Sequence, residues 1–198
     1  MSRAAPLAGI RVLDLTRLLP RLRRGELDVL VGRLEPGYAA PDLETQALYQ
    51  EPMCLVAHPQ HPMAQHLKIT WAQLAQQAWV VPPPWASSRI KLEQLFHKHG
   101  LNPPSDLIES ASFLAILCAI QEHQAVGFVA RSVGLHFQKE QLLKVLPVTL
   151  AMDLPPVGII TLRGQKTSLT TQTLMACLRS VAKNKKAPRQ SMRDALAG

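Results

Sequence analysis

The stretch LPRLRRGELDVLVGRL, residues 19–34, decides the fold class because it holds a helix, a helix stop and a buried strand. Its leucines fall on one helical face and its arginines on the opposite face, which is typical of a surface helix packed on a sheet. Gly25 supplies the C-terminal stop. The apolar run 27–32 then predicts a parallel strand that is covered on both faces. The sequence therefore predicts an α/β fold.

The rest of the chain alternates between strand and helix patterns. Strands are predicted near 10–15, 28–32, 43–49, 52–57, 79–82, 105–109, 126–130, 142–146 and 156–162, and helices near 17–24, 70–77, 88–99, 112–123, 131–138 and 168–183. Such alternation favours parallel strand pairing with right-handed crossovers.

Composition bounds the class of protein. A chain of 198 residues with 47% hydrophobic and 18% charged residues predicts a globular protein that buries about two-thirds of its unfolded surface. No apolar run approaches the roughly twenty residues of a membrane span, and the N-terminus lacks a signal-peptide core, so we expect a cytoplasmic protein without a membrane partner. Cys54, Cys118 and Cys177 lie in apolar segments, which favours buried, reduced thiols over a catalytic thiol.

The net charge of +8 raises the question of nucleic-acid binding. One basic cluster lies on the helix 17–24 and another in the tail 183–193, and the aromatic residues are not interleaved with either cluster. A solvated helix face and a basic tail are therefore the favoured interpretations, with a nucleic-acid surface as the alternative.

Motifs for catalysis or metal binding are weak. The pairs His58 with His61 and His97 with His99 lack nearby cysteines or carboxylates that would complete a metal site. The chain has no G-x-S-x-G elbow, no Walker loop and no G-x-G-x-x-G turn. The sequence predicts no catalytic residues, no metal site and no cofactor.

The order of segments carries a family resemblance. RRGELDVLVGRL is followed by LYQEPMCLVAHPQHPMA, TWAQLAQQAWVVPPP, HGLNPPSDLIESASFLAILCAIQEHQAVGFVARSVG and PPVGIITLRG, and this series resembles the effector-binding domain of LysR-type transcriptional regulators over residues 18–183. The resemblance implies a two-lobed fold like that of type 2 periplasmic binding proteins. It implies a first lobe at 21–58 plus 148–183, a second lobe at 59–147 and a basic disordered tail at 184–198.

The first twenty residues fit the family poorly. They leave room for one strand, so the first lobe is expected to be incomplete, and no winged helix-turn-helix precedes it. PLAGIRVLDLTRLLP, residues 6–20, resembles the start of family III CoA-transferases; the alternative is an ordinary second strand of the LysR family with chance similarity. An N-terminally truncated regulator is the leading hypothesis, and a CoA-transferase fragment or an inert rearranged remnant is the alternative.

Candidate effector contacts follow from the resemblance and from where strands end. Loops and helix N-termini that follow parallel strands form binding clefts. The candidates also have structural alternatives. Ser87 or Ser88 is predicted to be the N-cap of the helix 88–99, and Ser112 or Ser110 that of the helix 112–123. Arg131 could instead pair with an acidic neighbour or cap a helix. The candidates in the first lobe are Thr16, Gly32 and Arg33, and those in the second lobe are Pro84, Trp85, Ser87, Ser88, Ser110, Ser112, Phe128 and Arg131.

The resemblance also implies partners. A small-molecule effector, a sugar or an aromatic acid, is expected to bind between the lobes and shift their arrangement through its differential affinity for two states. The family forms dimers and tetramers through its effector domains. DNA would be contacted only through a helix-turn-helix that this sequence lacks.

Overall fold

A computed structural model describes residues 18–186 of the chain, except the side chains of 184–186. The expected strand at 10–15, Thr16 and the tail beyond 186 lie outside the described residues. In chain order the elements are α1 Leu19–Arg23, β1 Leu30–Arg33, β2 Leu43–Tyr49, β3 Met53–Ala57, α2 Trp71–Ala75, β4 Trp79–Val81, α3 Ser87–Lys98, β5 Leu107–Glu109, α4 Phe113–His123, β6 Val126–Ala130, α5 Arg131–Lys139, β7 Lys144–Val145, β8 Val157–Leu162 and α6 Leu169–Lys186.

The chain divides into two compact units. Within the described residues, unit 1 comprises 18–50 and 155–186, and unit 2 comprises Glu51–Leu154. The lobe boundaries predicted from the sequence lie at 58/59 and 147/148. Unit 2 extends beyond the predicted second lobe at both ends, to Glu51 and Leu154, because β3 and the segment around Leu150 pack in its core.

Unit 1 is built on a three-stranded sheet with the order β1-β8-β2. Both pairs are antiparallel, with Leu30 opposite Ile160 and Gln46 opposite Ile159. The prediction of a parallel strand at 27–32 is therefore wrong. The reason is topological: β8 returns after the chain has passed through unit 2, and it inserts between β1 and β2 in the opposite direction.

Both faces of this sheet are nevertheless covered. On one face, Leu22 of α1 packs with Leu30 and Ile160. On the other face, α6 packs against Val29 and Ile159. Because successive residues of a strand point to opposite faces, a sheet covered on both sides requires the near-continuous apolar run that the sequence shows.

The arginines of α1 lie on its exposed side in ion pairs. Arg23 Nε lies 2.6 Å from an Asp42 carboxylate oxygen, and Arg24 Nε lies 2.6 Å from one of Glu26. The hydrogen bond from each guanidinium lowers the pKa of the carboxyl group that it contacts. Part of the positive charge of this cluster is thus balanced locally.

Unit 2 is built on a five-stranded sheet with the order β5-β4-β6-β3-β7. β4 is parallel to both β5 and β6, whereas β3 is antiparallel to β6 and β7. One face packs on α2 and α3 around Trp79 and Phe96, and the opposite face packs on α4 around Val80 and Ile120. The predicted parallel pairing is therefore confirmed for the three strands that alternate with helices.

The cysteines differ from their predicted burial. Cys54 in β3 is buried, but Cys118 and Cys177 are exposed. Both exposed cysteines lie on the outward faces of amphipathic helices, α4 and α6, whose opposite faces supply the core. An apolar segment was therefore insufficient evidence for burial at these two positions.

Candidate functional site

The parallel strands of unit 2 bring three helix N-termini to one edge of the sheet. Trp79 pairs with Leu107 of β5 and with Val126 of β6, so β4, β5 and β6 end on the same side. β4 and β5 each lead through a loop into α3 and α4, whereas β6 leads directly into α5. We call this the carboxyl edge of unit 2. It collects the predicted contacts that follow β4, β5 and β6.

The loop between β4 and α3 supplies Pro84, Trp85, Ser87 and Ser88. Pro84 is exposed, Trp85 is 69% exposed, and Ser88 is buried. The prediction that Ser87 or Ser88 caps the helix is wrong, because α3 begins at Ser87 and Ala86 holds the cap position without a side-chain hydrogen bond. The loop thus leads into a helix N-terminus that has no side-chain cap and no acidic residue in its first turn.

The loop between β5 and α4 supplies Ser110 and Ser112. Ser112 holds the N-cap position of α4, as predicted, but its side chain makes no capping hydrogen bond. Instead, Ser110 Oγ accepts a hydrogen bond from the Ser112 N–H at 3.1 Å. The first turn of α4 also lacks acidic residues, so its N-terminus resembles that of α3.

The N-terminus of α5 is different because its backbone N–H groups already donate hydrogen bonds to acceptors within the protein. The Arg131 N–H donates to the Pro52 carbonyl at 2.8 Å, and the Ser132 N–H donates to Glu51 Oε1 at 3.0 Å. A carboxylate therefore already occupies the position that an anion would take. The exposed Arg131 side chain remains at the edge, whereas Phe128 is 1% exposed and packs inside the core.

A cavity of about 660 Å³ lies beside Arg131. Its lining includes Leu135 and Gln138 of α5 and Lys144 of β7, together with residues 64–67 and 145–149. Arg131 and Lys144 are cationic, and none of the residues that line the cavity is acidic. This cavity therefore favours an anionic ligand.

Arg89 organises the carboxyl edge, although the sequence analysis did not single it out. It is 7% exposed and contacts three partners: Glu93 Oε1 at 2.6 Å, Glu109 Oε1 at 3.3 Å and the Pro82 carbonyl at 3.3 Å. These contacts join the start of α3 to the ends of β4 and β5. The spacing of Arg89 and Glu93 on one helical face was the available signal.

The predicted contacts of the first lobe that fall within the described residues lie in unit 1. Gly32 in β1 is buried opposite Gly158. Arg33, the last residue of β1, donates from Nη1 to the Pro155 carbonyl at 2.7 Å. Thr16 lies outside the described residues.

The histidine pair near residue 60 has a structural role. The His58 and His61 Nδ1 atoms accept backbone N–H groups from Gln60 at 3.1 Å and from Met63 at 3.0 Å. Burial lowers the pKa of His61.

In the described part of the chain, no cluster of three or more His, Cys, Asp or Glu side chains could hold a metal ion. Likewise, none of the helices described is long and apolar enough to cross a membrane.

Comparisons with known proteins agree on one family. The family model described as "LysR substrate binding domain" matches residues 2–183, a range that includes the stretch 6–20. The regulator GbpR of Azospirillum brasilense is 29% identical over 169 residues, which cover 85% of this chain and 49% of that protein. The regulator GalR of Pseudomonas putida is 30% identical over 173 residues, which cover 83% and 41%. The chain thus spans about half the length, or less, of these two relatives.

Solved structures share the fold. The regulatory domain of CcmR from Synechocystis PCC6803, in complex with 2-PG, aligns with a TM-score of 0.65 at 23% identity and covers 85% of this chain and 79% of its own. The effector binding domain of QuiR, in complex with shikimate, aligns with a TM-score of 0.65 at 15% identity, covering 84% and 77%. The α/β fold of the periplasmic-binding-protein type is therefore confirmed.

Proposed function

The chain belongs to the LysR substrate binding domain family of transcriptional regulators, and on that premise we propose that the carboxyl edge of unit 2 recognises a small organic acid. The observation that supports this proposal is the pair of uncapped helix N-termini, α3 and α4, which follow the neighbouring strands β4 and β5. β4 and β5 are adjacent and parallel, so α3 and α4 begin at the same edge from opposite faces of the sheet, and a ligand bound over the ends of these two strands would contact both N-termini.

Electrostatics favours an acid over a neutral sugar. The N-terminus of a helix carries roughly half a positive charge and presents backbone N–H groups that bind carboxylates and phosphates. The hydroxyl groups of Ser88, Ser110 and Ser112 can form hydrogen bonds with ring hydroxyls of the same ligand, either as donors or as acceptors. Arg131 and the cationic cavity beside it add a second positive region. Of the two effector classes expected from the sequence, the aromatic acid therefore fits better.

Two related structures support the same class. The CcmR domain is in complex with 2-PG and the QuiR domain with shikimate, and shikimate is a cyclic carboxylate with several hydroxyl groups. For this chain we propose a carboxylate that carries either an aromatic ring or ring hydroxyls.

The proposed role of the whole protein is effector-dependent control of transcription in the cytoplasm. The relatives that the chain matches are named as helix-turn-helix regulators. An effector would favour one of two arrangements of a homodimer or tetramer. It would shift the equilibrium between them only as far as its affinities for the two arrangements differ. Contact with DNA would require a helix-turn-helix of the kind that those relatives are named for.

The test is a thermal-shift and calorimetric titration of the chain with shikimate, benzoate and glucose. We expect an acid to raise Tm in a concentration-dependent way and glucose to leave it unchanged. Ser88→Ala and Ser112→Ala should each weaken shikimate binding about fivefold, the effect of one lost hydrogen bond to a ring hydroxyl. Ser180→Ala, an exposed serine on α6, is the matched control. Stabilisation by glucose alone, or by none of the three compounds, would contradict the proposal.

A further inference from the structure

A second cavity lies in unit 1, on the face of its sheet that α6 covers. Its volume is about 470 Å³. Glu44 and Gln46 of β2 lie directly opposite Thr161 and Ile159 of β8, so these four residues share one face and form the floor. It shares no residue with the carboxyl edge of unit 2 and therefore requires a separate explanation.

One helix and one loop wall this cavity. Met175 and Arg179 of α6 form the side wall, and residues 164–167 close one end. The loop is held in place at both ends: the Arg163 N–H donates to the Asp42 carbonyl at 2.9 Å, and Gln172 Nε2 donates to the Thr167 carbonyl at 3.1 Å. The cavity is thus formed before any ligand binds.

One residue of the lining carries an unsatisfied acceptor. Gln165 lines it, and Gln165 Oε1 is shielded from solvent and accepts no hydrogen bond from the residues that the structure describes. Since most buried polar atoms in folded proteins have a partner, such an atom calls for an explanation. A ligand that donates a hydrogen bond would supply the missing partner.

The cavity also carries one charge of each sign. Arg179 Nε donates to Gln46 Oε1 at 2.8 Å, which fixes the guanidinium over β2. Within residues 18–183, neither Glu44 nor Arg179 takes part in an ion pair. Glu44 and Gln46 are two residues apart on a strand, a spacing of about 7 Å. A carboxylate and a guanidinium thus lie a short distance apart, each available to a charged partner.

We infer that this cavity binds a free α-amino acid. Its carboxylate would pair with Arg179, and its ammonium group would donate to Glu44 and to Gln165 Oε1. An unbranched side chain would lie against Ile159 and Met175. Such a ligand joins β2, β8 and α6, and it therefore stabilises unit 1 independently of the acid that the carboxyl edge of unit 2 recognises.

The experiment is an NMR titration of the isotope-labelled chain with L-methionine and L-glutamine. We expect saturable shifts of the backbone amides of Thr161, Gly164 and Gln165. Glycine betaine, which keeps both charges but has no N–H donor, should bind at least tenfold more weakly, and so should N-acetyl-L-methionine, which lacks the ammonium group. Absence of saturable shifts with both amino acids, or equal binding of either analogue, would overturn the inference.

Variants locate the binding and separate it from the proposed function. Arg179→Gln and Glu44→Gln should each weaken amino acid binding about tenfold or more, since each removes a charge-assisted hydrogen bond. Arg179→Lys, which keeps the charge, should weaken it less, and Lys183→Gln, at an exposed position on the same helix, should leave it unchanged. Ser88→Ala should leave amino acid binding intact, and Arg179→Gln should leave binding of the organic acid intact. Equal binding by Arg179→Gln and the wild type would contradict this site.

Discussion

Units 1 and 2 use their sheets in different ways. In unit 2, three parallel strands end on one edge, and the helices that follow begin there, so N–H groups and hydroxyls gather at that edge. In unit 1, the described strands are antiparallel, and no such edge forms among them. Its polar groups gather instead on one face, under α6. Strand direction therefore decides whether a unit can bind a ligand at an edge or only on a face.

The comparison extends to how each unit holds its helices. Where the strands are parallel, a helix is fixed at its N-terminal end by the preceding strand, as Arg89 fixes the start of α3. Where they are antiparallel, α6 is fixed along its length by packing on the sheet, through Leu178 and Ala182. Substitutions in the two units should therefore have different consequences.

The largest effect is expected at Phe128, which distinguishes a core residue from a ligand contact. Phe128 packs with Trp79 and Phe96 beneath the edge. Phe128→Ala should lower the free energy of unfolding by about 3–5 kcal/mol, because it removes a large buried side chain and leaves a cavity. Chemical denaturation measures this, with Phe128→Leu as the conservative control. A loss of acid binding without a loss of stability would restore Phe128 as a direct contact.

Two buried glycines, one in the sheet of each unit, provide the next comparison. A Cβ at Gly158 in unit 1 would lie 2.5 Å from the Gln46 carbonyl oxygen, whereas a Cβ at Gly127 in unit 2 would lie 2.5 Å from the Cδ1 atom of Ile120. A backbone atom cannot move aside as a side chain can. We expect Gly158→Ala to cost about 3 kcal/mol and Gly127→Ala about 1 kcal/mol. Denaturant midpoints measure both, and a reversed order would show that the β8–β2 pair is more adaptable than its register indicates.

Arg89 tests whether the carboxyl edge depends on its buried ion pairs. Arg89→Met keeps much of the apolar packing and removes the contacts with Glu93, Glu109 and the Pro82 carbonyl. We expect a loss of about 1.5 kcal/mol, since both carboxylates are partly exposed and can be hydrated. We also expect faster hydrogen exchange in residues 85–88, the part of this loop and helix start that carries backbone N–H groups. Arg24→Met, at an exposed ion pair, should change neither quantity, and unchanged exchange in Arg89→Met would show that packing alone holds the loop.

The sequence predicted the elements better than their pairing. The periodic apolar patterns identified each helix and strand of residues 18–186 that carries a label here, because those patterns reflect local burial. Strand direction in unit 1 depends on where β8 returns, which no local pattern encodes. The same limit applies to the site: Ser110, Ser112 and Arg131 could be named from their positions after strands. The burial of Phe128 and the contacts of Arg89 depend on residues distant in sequence.

The smallest effect, in energy, concerns the thiols. Burial raises the pKa of Cys54 in unit 2 to about 11, so its neutral form persists at ordinary pH. Because the folded pKa is raised, the stability linked to this group is present below the ordinary thiol pKa and is lost as the pH rises toward 11.

At pH 8 we expect a thiol reagent to modify Cys118 and Cys177 rapidly and Cys54 only after local opening. Cys118→Ser and Cys177→Ser should each remove one rapidly reacting thiol. Three rapidly reacting thiols in the wild type would show that β3, an inner strand of the sheet of unit 2, opens as readily as the exposed helix faces.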